Sequence, residues 1–571
     1  MNNRERLRVK VILIGIIVVA VVLILSLYSR QIIDGKSYTL KADEQYGKPS
    51  SSLFDRGSIY FESKNGTRIA AATVERGFLV YVNPKLVKNG AQTYEALSQF
   101  LKINRVNFTK AVSRADDTYE EISHRADGIT AQSINSLELN GIGTSPESWR
   151  FYSGGSLAAH ALGLVGQNAS SSNIEGRYGL EKYYQDILNR KNKGTGLGVF
   201  AELFTSVRDT VIGSSEKSGD IVTTIEPTVE GYLEKVLNDT YAEWHPDEIG
   251  GIIINPQNGE IAALALLPTF DPNNTSEIKD SKIFSNSLVE HIYEMGSIMK
   301  PLTMAMGFDS GNFSPSSTYD DTGTMVLNGK TIGNYDRKAR GIIGMQQLLN
   351  QSLNIGAATI ALKVGSTTMS DYFSKYGLGE KTGIDLPNEA TGMIKNLKSG
   401  REIDVATAAY GQGISVSPIE MARALSVLAN GGYLIKPHLV KEIDDVGGGI
   451  LKIDSAKDGP VLKKQTVTDV TKMLVEIVDT ALKHGDIKME KYTIAAKTGT
   501  AQIADRVNGG YYPDKYLHSF FGYFPAYNPR FLVFLYQVYP KGARYASETL
   551  TGPFNNLTKF LINYYNIPPD R

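Results

Sequence analysis

The chain of 571 residues reads as an α+β protein of more than one domain. Three observations predict this. The length exceeds what a single hydrophobic core ordinarily serves. Strand-like runs gather at 221–267 and again at 492–539 with helical patterns filling the interval, so one sheet is completed by distant parts of the chain. One long apolar run stands alone near the N-terminus.

That run comes first. Arg4, Arg6, Arg8 and Lys10 precede an uncharged stretch from Val11 to Ser29 built almost wholly of Val, Ile and Leu. At about 1.5 Å per residue it reaches nearly across a hydrocarbon layer of about 30 Å. The flanking positives keep residues 1–10 in the cytoplasm and send everything after Arg30 outside. Ser26-Leu27-Tyr28-Ser29 is a poor cleavage site, so residues 11–29 are expected as a retained anchor of the plasma or inner membrane. No second stretch approaches this length, and the protein is expected to be single-pass.

Residues 30–212 show mixed α/β patterning, with a strand candidate GFLVYV at 77–82 and a helical TYEALSQFL at 93–101. The small, polar GSSEKSG at 213–219 reads as a linker. From Asp220 to residue 571 the pattern is that of a second domain. IVTTI (221–225) is a strand, and PTVEGYLEKVLNDTYAEW (227–244) is an amphipathic helix started by Pro227. GGIIINP (250–256) and EIAALALL (260–267) form a hairpin around Gln257-Asn258-Gly259. YTIAAKTGTAQI (492–503), HSFFGYF (518–524) and RFLVFLYQVY (530–539) are three more strands, the last two joined by the turn Pro525 to Pro529. There is no internal repeat.

Composition narrows the chemistry. Apolar content of 42% and charged content of 21% suit a globular protein. A formal net charge of zero argues against a nucleic-acid binder held by a basic surface. With no cysteine, neither a disulfide nor a thiolate metal site can form, and the seven histidines show no ligand spacing. No metal or cofactor is expected. GTGLGVF (194–200) resembles a phosphate loop but lacks the Lys-Ser/Thr that would complete one.

Three short patterns carry chemistry. In YEMGSIMKPLTM (293–304), Ser297 and Lys300 lie one helical turn apart, and Pro301 places both at a helix start. A lysine activates a hydroxyl only when neutral, and its unperturbed pKa is about 10.4, so Lys300 needs burial and a second cation nearby. Ser214/Lys217 and Ser276/Lys279 repeat the spacing, but only Ser297 opens an apolar helix, with Ile298, Met299, Leu302, Ala305 and Met306. The second pattern is Ser352-Leu353-Asn354, matched at Ser133/Asn135 and Ser171/Asn173 in the first domain. Taken alone, Ser352 reads as a helix cap; beside Asn354 its hydroxyl could relay a proton. The third is Lys497-Thr498-Gly499-Thr500 within a strand, against a loop-like copy at Lys381-Thr382-Gly383. On a strand edge Lys497 aims a fixed charge at a carboxylate, Gly499 lets a substrate approach the backbone, and the Thr500 amide can donate to an oxyanion. Lys497 also supplies the cation that Lys300 requires.

The order Ser-x-x-Lys, Ser-x-Asn, Lys-Thr-Gly resembles the penicillin-binding proteins and serine β-lactamases. Further stretches extend the likeness along nearly the whole chain: DRGSIYFESKNG (55–66), WRFYSGGSLAAHALGLVG (149–166), RYGLEKYY (177–184), GLGEKTGIDLPNE (377–389) and AYGQGISVSPIEMARALSVLANGG (409–432). They resemble class B penicillin-binding proteins, the monofunctional peptidoglycan D,D-transpeptidases. The resemblance implies an elongated pedestal or dimerisation-like domain at 30–212 and a β-lactamase-like transpeptidase domain at 220–571, with a central antiparallel sheet flanked by helices.

It also implies roles. Ser297 is acylated by a peptidoglycan stem ending in D-Ala-D-Ala, Lys300 takes its proton, Ser352 relays a proton to the leaving D-alanine, and Asn354 binds the donor stem. Lys497, Thr498 and Thr500 hold the terminal carboxylate, and the amides of Ser297 and Thr500 form the oxyanion hole. β-Lactams become covalent inhibitors at Ser297. No glycosyltransferase motif is visible, which implies a membrane glycosyltransferase of the division or elongation complex as partner. Asn354 and GQGISVSP (411–418) point to the division-specific FtsI type. Met295 and Ser153 stand where the family usually has proline. The competing expectations are an elongation-type transpeptidase, a D,D-carboxypeptidase or β-lactam hydrolase, and, from another class, an inactive scaffold or penicillin sensor. Ten residues before the anchor leave a sensor no signalling domain, and the absence of G-x-S-x-G disfavours a Ser-His-Asp hydrolase.

Overall fold

The computed structural model describes residues 54–114, 116–167, 174–190, 218–276, 278–453, 457–505 and 507–571. The expected anchor at 11–29 and residues 213–217 of the expected linker lie outside them. Among the described residues no helix is long and apolar enough to cross a membrane. The chain forms two compact units, one built on residues 76–148 and the other on residues 55–75 with 149–571.

In the smaller unit the latter half of the strand Arg68–Val82, which contains GFLVYV, pairs antiparallel with Glu120–Ala126. Helices Gly90–Ser98, Arg105–Val112 and Gly128–Ser136 start on Asn89, Asn104 and Asp127, whose side chains accept backbone N–H bonds of the first turn. Val80, Leu97, Leu101, Phe108, Ala126 and Ile134 make its core.

The larger unit is built on five strands: β1 (Glu248–Ile254), β2 (Ile261–Leu267), β3 (Ala495–Ala504), β4 (Tyr511–Phe524) and β5 (Phe531–Val538). Their order in the sheet is β3-β4-β5-β1-β2, with every neighbouring pair antiparallel. The C-terminal strand β5 docks on the early hairpin at β1, which closes one sheet from both ends of the domain sequence. Gly259, at φ +86°, turns the hairpin with a backbone that glycine adopts without strain. β3 is an edge strand, and this gives the site an open rim.

Helices cover both faces, which is why β2 is apolar along its whole length and β1 is apolar beyond Glu248. Helix α1 (Pro227–Trp244) carries Pro227 in its first turn and is capped by Glu226, whose carboxylate accepts from Val229 N–H. Four helices follow: α2 (Lys300–Asp309), α3 (Asn354–Val364), α4 (Pro418–Ala429) and α5 (Lys464–Glu476). The last is α6 (Thr551–Tyr564), which packs with α1 over one face and stacks Phe554 on Phe520 of β4 at 4.6 Å. On the other face the Thr471 hydroxyl of α5 bonds that of Tyr523 at 2.8 Å. α2 lies between α5 and α3. Alternation along β4 therefore separates a structural face from the face that holds the site.

A second strand set of this unit places Gly219–Thr223 beside Ile59–Glu62 and Val440–Asp445. Below it Arg56 and Arg150 bracket Glu181, at 2.5 and 2.6 Å, all three buried. Each comes from a different stretch quoted above, DRG, WRF and RYGLEKYY. Their mutual neutralisation keeps the Glu181 carboxylate low against the upward push of its own burial. Removing one partner of such a buried cluster costs about 3–5 kcal/mol.

Candidate active site

Ser297 sits in a 3-10 turn, Gly296–Met299, that runs directly into α2 at Lys300, with Pro301 in the first helical turn. Ile298, Met299, Leu302, Met304, Ala305 and Met306 are buried and fix the turn to the core. Gly296 has φ +64°, and a Cβ there would lie 2.8 Å from the Thr500 carbonyl oxygen. The serine is thereby presented against β3. Strand β4 reinforces this, because the Ser519 hydroxyl donates to Met295 O at 2.7 Å.

Lys300 is buried, and its Nζ lies 3.0 Å from Ser297 Oγ, 3.2 Å from Ser352 Oγ, 2.5 Å from Ser352 O and 2.8 Å from Asn354 Oδ1. A neutral amine has two hydrogens and one lone pair. The carbonyl of Ser352 and the amide oxygen of Asn354 can only accept, so they take both hydrogens. The lone pair remains for a hydroxyl proton, and Ser297 is the nearer hydroxyl. Burial, and then the charge of Lys497, depress the Lys300 ammonium well below the ordinary lysine range.

Ser352 is not the N-cap of α3, which is Leu353. With φ +53° it is the left-handed residue that ends the short helix Met345–Asn350, its N–H bonding Leu349 O at 3.3 Å while Leu353 N–H bonds Leu348 O at 2.9 Å. The conformation turns both the carbonyl and the hydroxyl of Ser352 onto Lys300, and the hydroxyl also accepts from Lys497 Nζ at 3.0 Å. One serine thus bridges two lysines.

Asn354 is engaged at both ends of its amide, accepting from Lys300 and donating to Gly333 O at 2.9 Å. Its visible work is to orient the lysine. Asn334, buried, accepts from Ile355 N–H at 3.1 Å and donates to the buried Asp321 at 2.8 Å, which ties the start of α3 in place. Sequence patterns gave no signal for Asn334, Asp321 or Ser519, because each acts across a long stretch of chain.

Lys497, also buried, donates to Ser352 Oγ and to Thr498 O at 2.9 Å, and burial lowers its ammonium to about 7. Thr498 and Thr500 are half-buried on β3. Thr500 Oγ1 accepts from Ala546 N–H at 3.0 Å, which leaves its own proton to donate outward. A Cβ on Gly499 would lie 2.3 Å from Ser519 Oγ of β4, 2.8 Å from Met295 O and 3.0 Å from Ile298 N, so the packing of β3 against β4 and the nucleophile turn already requires glycine there.

The competing copies lie elsewhere. Ser133 and Asn135 are on helix Gly128–Ser136, and Lys381-Thr382-Gly383 is a loop whose Thr382 and Gly383 amides donate to Glu389. Ser171 and Ser214 fall outside the described residues, as does GTGLGVF. Among the described residues no cluster of three or more His, Asp or Glu could hold a metal ion. The assembled groups can move a proton from an alcohol to an amine beside a fixed cation, with hydroxyl donors on the rim.

Comparison with known proteins gives a consistent picture. The family described as Penicillin binding protein transpeptidase domain matches residues 249–559, and that described as Penicillin-binding Protein dimerisation domain matches residues 54–212. Stage V sporulation protein D of Bacillus subtilis is 28% identical over 97% of this chain and 84% of its own length. Peptidoglycan D,D-transpeptidase FtsI of Buchnera aphidicola subsp. Baizongia pistaciae is 25% identical over 98% of this chain and 96% of its own. Among solved structures, penicillin binding protein 3 of Mycobacterium tuberculosis complexed with aztreonam superposes with a TM-score of 0.67 at 21% identity. It covers 91% of this chain and 98% of that one.

Proposed function

The chain belongs to the class B penicillin-binding protein transpeptidases, and from that premise we propose how its residues divide the labour of peptidoglycan D,D-transpeptidation. Ser297 Oγ attacks the carbonyl of the penultimate D-alanine of a stem peptide, and its proton passes to Lys300 Nζ. The amides of Ser297 and Thr500 stabilise the oxyanion. The C–N bond then breaks, and D-alanine leaves as an amine after taking a proton through Ser352. An acceptor amine attacks the resulting ester, gives its proton to Lys300 and restores the Ser297 hydroxyl as the cross-link forms. Lys497 and the hydroxyls of Thr498 and Thr500 hold the terminal carboxylate. Asn354 keeps Lys300 aimed through its Oδ1, and the second hydrogen of its amide remains for the donor stem. A β-lactam enters by the same first step and stays as an ester on Ser297.

One observation carries this reading: a buried amine 3.0 Å from Ser297 Oγ, with both of its hydrogens claimed elsewhere and a second lysine across Ser352. Residues 11–29 anchor the chain in the membrane with the catalytic unit outside, and a membrane glycosyltransferase supplies the glycan. The division role rests on Asn354 and GQGISVSP, and the two relatives named above carry sporulation and FtsI names. Depletion of the protein separates the roles by whether septation, elongation or spore cortex fails. The chemistry is tested with a fluorescent penicillin on the full chain: wild type is expected to label covalently and Ser297→Ala to lose labelling. Labelling retained in that variant removes Ser297 as nucleophile.

A further inference from the structure

The residues leading into Ser297 are tied down one by one. Tyr293 exchanges both backbone bonds with Val416, at 2.9 and 3.0 Å, and Gly296 N–H donates to Gly411 O at 3.1 Å. Met295 O is held by Ser519. The loop that receives these contacts is rich in glycine. Gly411 and Gly413 both have left-handed φ, +78° and +72°, and Gly411 leaves no room for a side chain, since a Cβ would sit 2.3 Å from Gly296 O. Two glycines in three residues give a backbone many alternatives.

Glu294 adds a side-chain tie to this loop, beside the bond that Asn396 Nδ2 donates to Gly413 O at 2.6 Å and the Gly411 and Gln412 N–H bonds to Ala408 O and Thr407 O at 3.0 and 3.1 Å. Its Oε1 accepts from Gly413 N–H at 3.1 Å and from the Tyr511 hydroxyl of β4 at 3.1 Å, so one carboxyl reaches both flanks of the nucleophile turn. Its Oε2 is buried without a partner. The titratable groups beside it are Tyr410 and Tyr511, and among the described residues no cation balances it.

We propose that Glu294 is a positioning residue for acylation, locking the turn that carries Ser297 between the 411–413 glycine loop and the start of β4. The role rests on the transpeptidase reading given above and deepens it: Glu294 touches no reacting atom and acts through the placement of Gly296 and Ser297. Burial raises its carboxyl to about 7. Below that pH the group is neutral and sits comfortably in its dry site. Above it, an uncompensated charge favours exposure to water, and the lock loosens.

The test measures the second-order rate of acylation of the full-length protein by a fluorescent penicillin across the neutral pH range. Glu294→Ala is expected to lose about tenfold or more, the scale on which small misplacements act. Glu294→Gln keeps the accepting oxygen and is expected to recover to within about threefold. Tyr511→Phe, at a 40% exposed site that tolerates the change, is expected to lose about threefold alone and nothing further in the Glu294→Ala background. The ratio of the Glu294→Gln rate to the wild-type rate is expected to climb as pH rises through about 7. Wild-type acylation by Glu294→Ala, independent multiplication of the two losses, or a pH-flat ratio each overturns the role. If Glu294→Ala does not fold, Glu294→Gln and Tyr511→Phe still decide it. A wild type that fails to label brings down the transpeptidase reading itself, whereas a labelled wild type with indifferent variants brings down only Glu294.

Discussion

The start of α2 and the edge of β3 each bury a lysine in the same pocket, and the two are held for opposite purposes. Lys300 faces two groups that can only accept, which consume the hydrogens of a neutral amine and leave its lone pair toward Ser297. Lys497 faces Ser352 Oγ and Thr498 O on the open rim, where a charge has somewhere useful to point. Burial depresses both. Burial brings Lys497 down to about 7, and the charge of Lys497 adds to the depression of Lys300. With one proton between them the pocket holds a base and a cation together, which neither lysine could provide alone.

The largest expected effect follows on the helix side. Lys300→Ala should slow acylation by about 10²–10⁴-fold, the span of a lost general base, while initial complex formation with the β-lactam changes little. Stopped-flow separation of the binding constant from the acylation constant checks this. Equal losses in both constants would make Lys300 a binding group and collapse the contrast with Lys497.

Lys497→Ala should cost about 10²-fold or more, and its signature is the pH profile. In the free wild-type protein, acylation should fall as pH rises through about 7, because Lys497 then loses the charge that attracts a carboxylate. That alkaline limb should vanish in the variant. The acid limb should move to higher pH, since Lys300 keeps the depression from burial but loses the repulsion of its neighbour. An unmoved acid limb would mean that the two amines do not sense each other.

Much of this arrangement is written in short-range sequence, and the rest is not, for a physical reason. The helix at Pro227–Trp244, the hairpin around Gly259 and the strands near 495–538 are local patterns of period 3.6 or 2, and they appear where those patterns place them. Ser297 and Lys300 share one helical turn, so their proximity is also local. Their meeting with Ser352 and Lys497 was readable only through the order of three motifs. The left-handed backbone of Ser352, the doubly occupied amide of Asn354 and the support of Asn334 by Asp321 depend on which atoms finally face one another. Gly499 shows the limit plainly. A glycine on a strand announces close approach, and only the fold says that Ser519 of β4 and the nucleophile turn come that close.

The smallest effect sharpens the contrast most. Thr500 accepts from Ala546 N–H and has its own proton to give, so Thr500→Val deletes a donor on the rim while keeping the shape of the strand. A hydrogen bond to a charged acceptor is worth about 1.5–3 kcal/mol. A loss of about ten- to a hundredfold is therefore expected, carried by weaker formation of the initial complex, with the acylation constant preserved. Ala546 is buried, so its stranded N–H adds a cost of about 1–3 kcal/mol in stability, measurable by calorimetry and separable from the kinetics. If Thr500→Val instead slows the acylation constant and spares binding, the β3 edge takes part in the chemical step, and the division between a helix that reacts and a strand that holds must be redrawn.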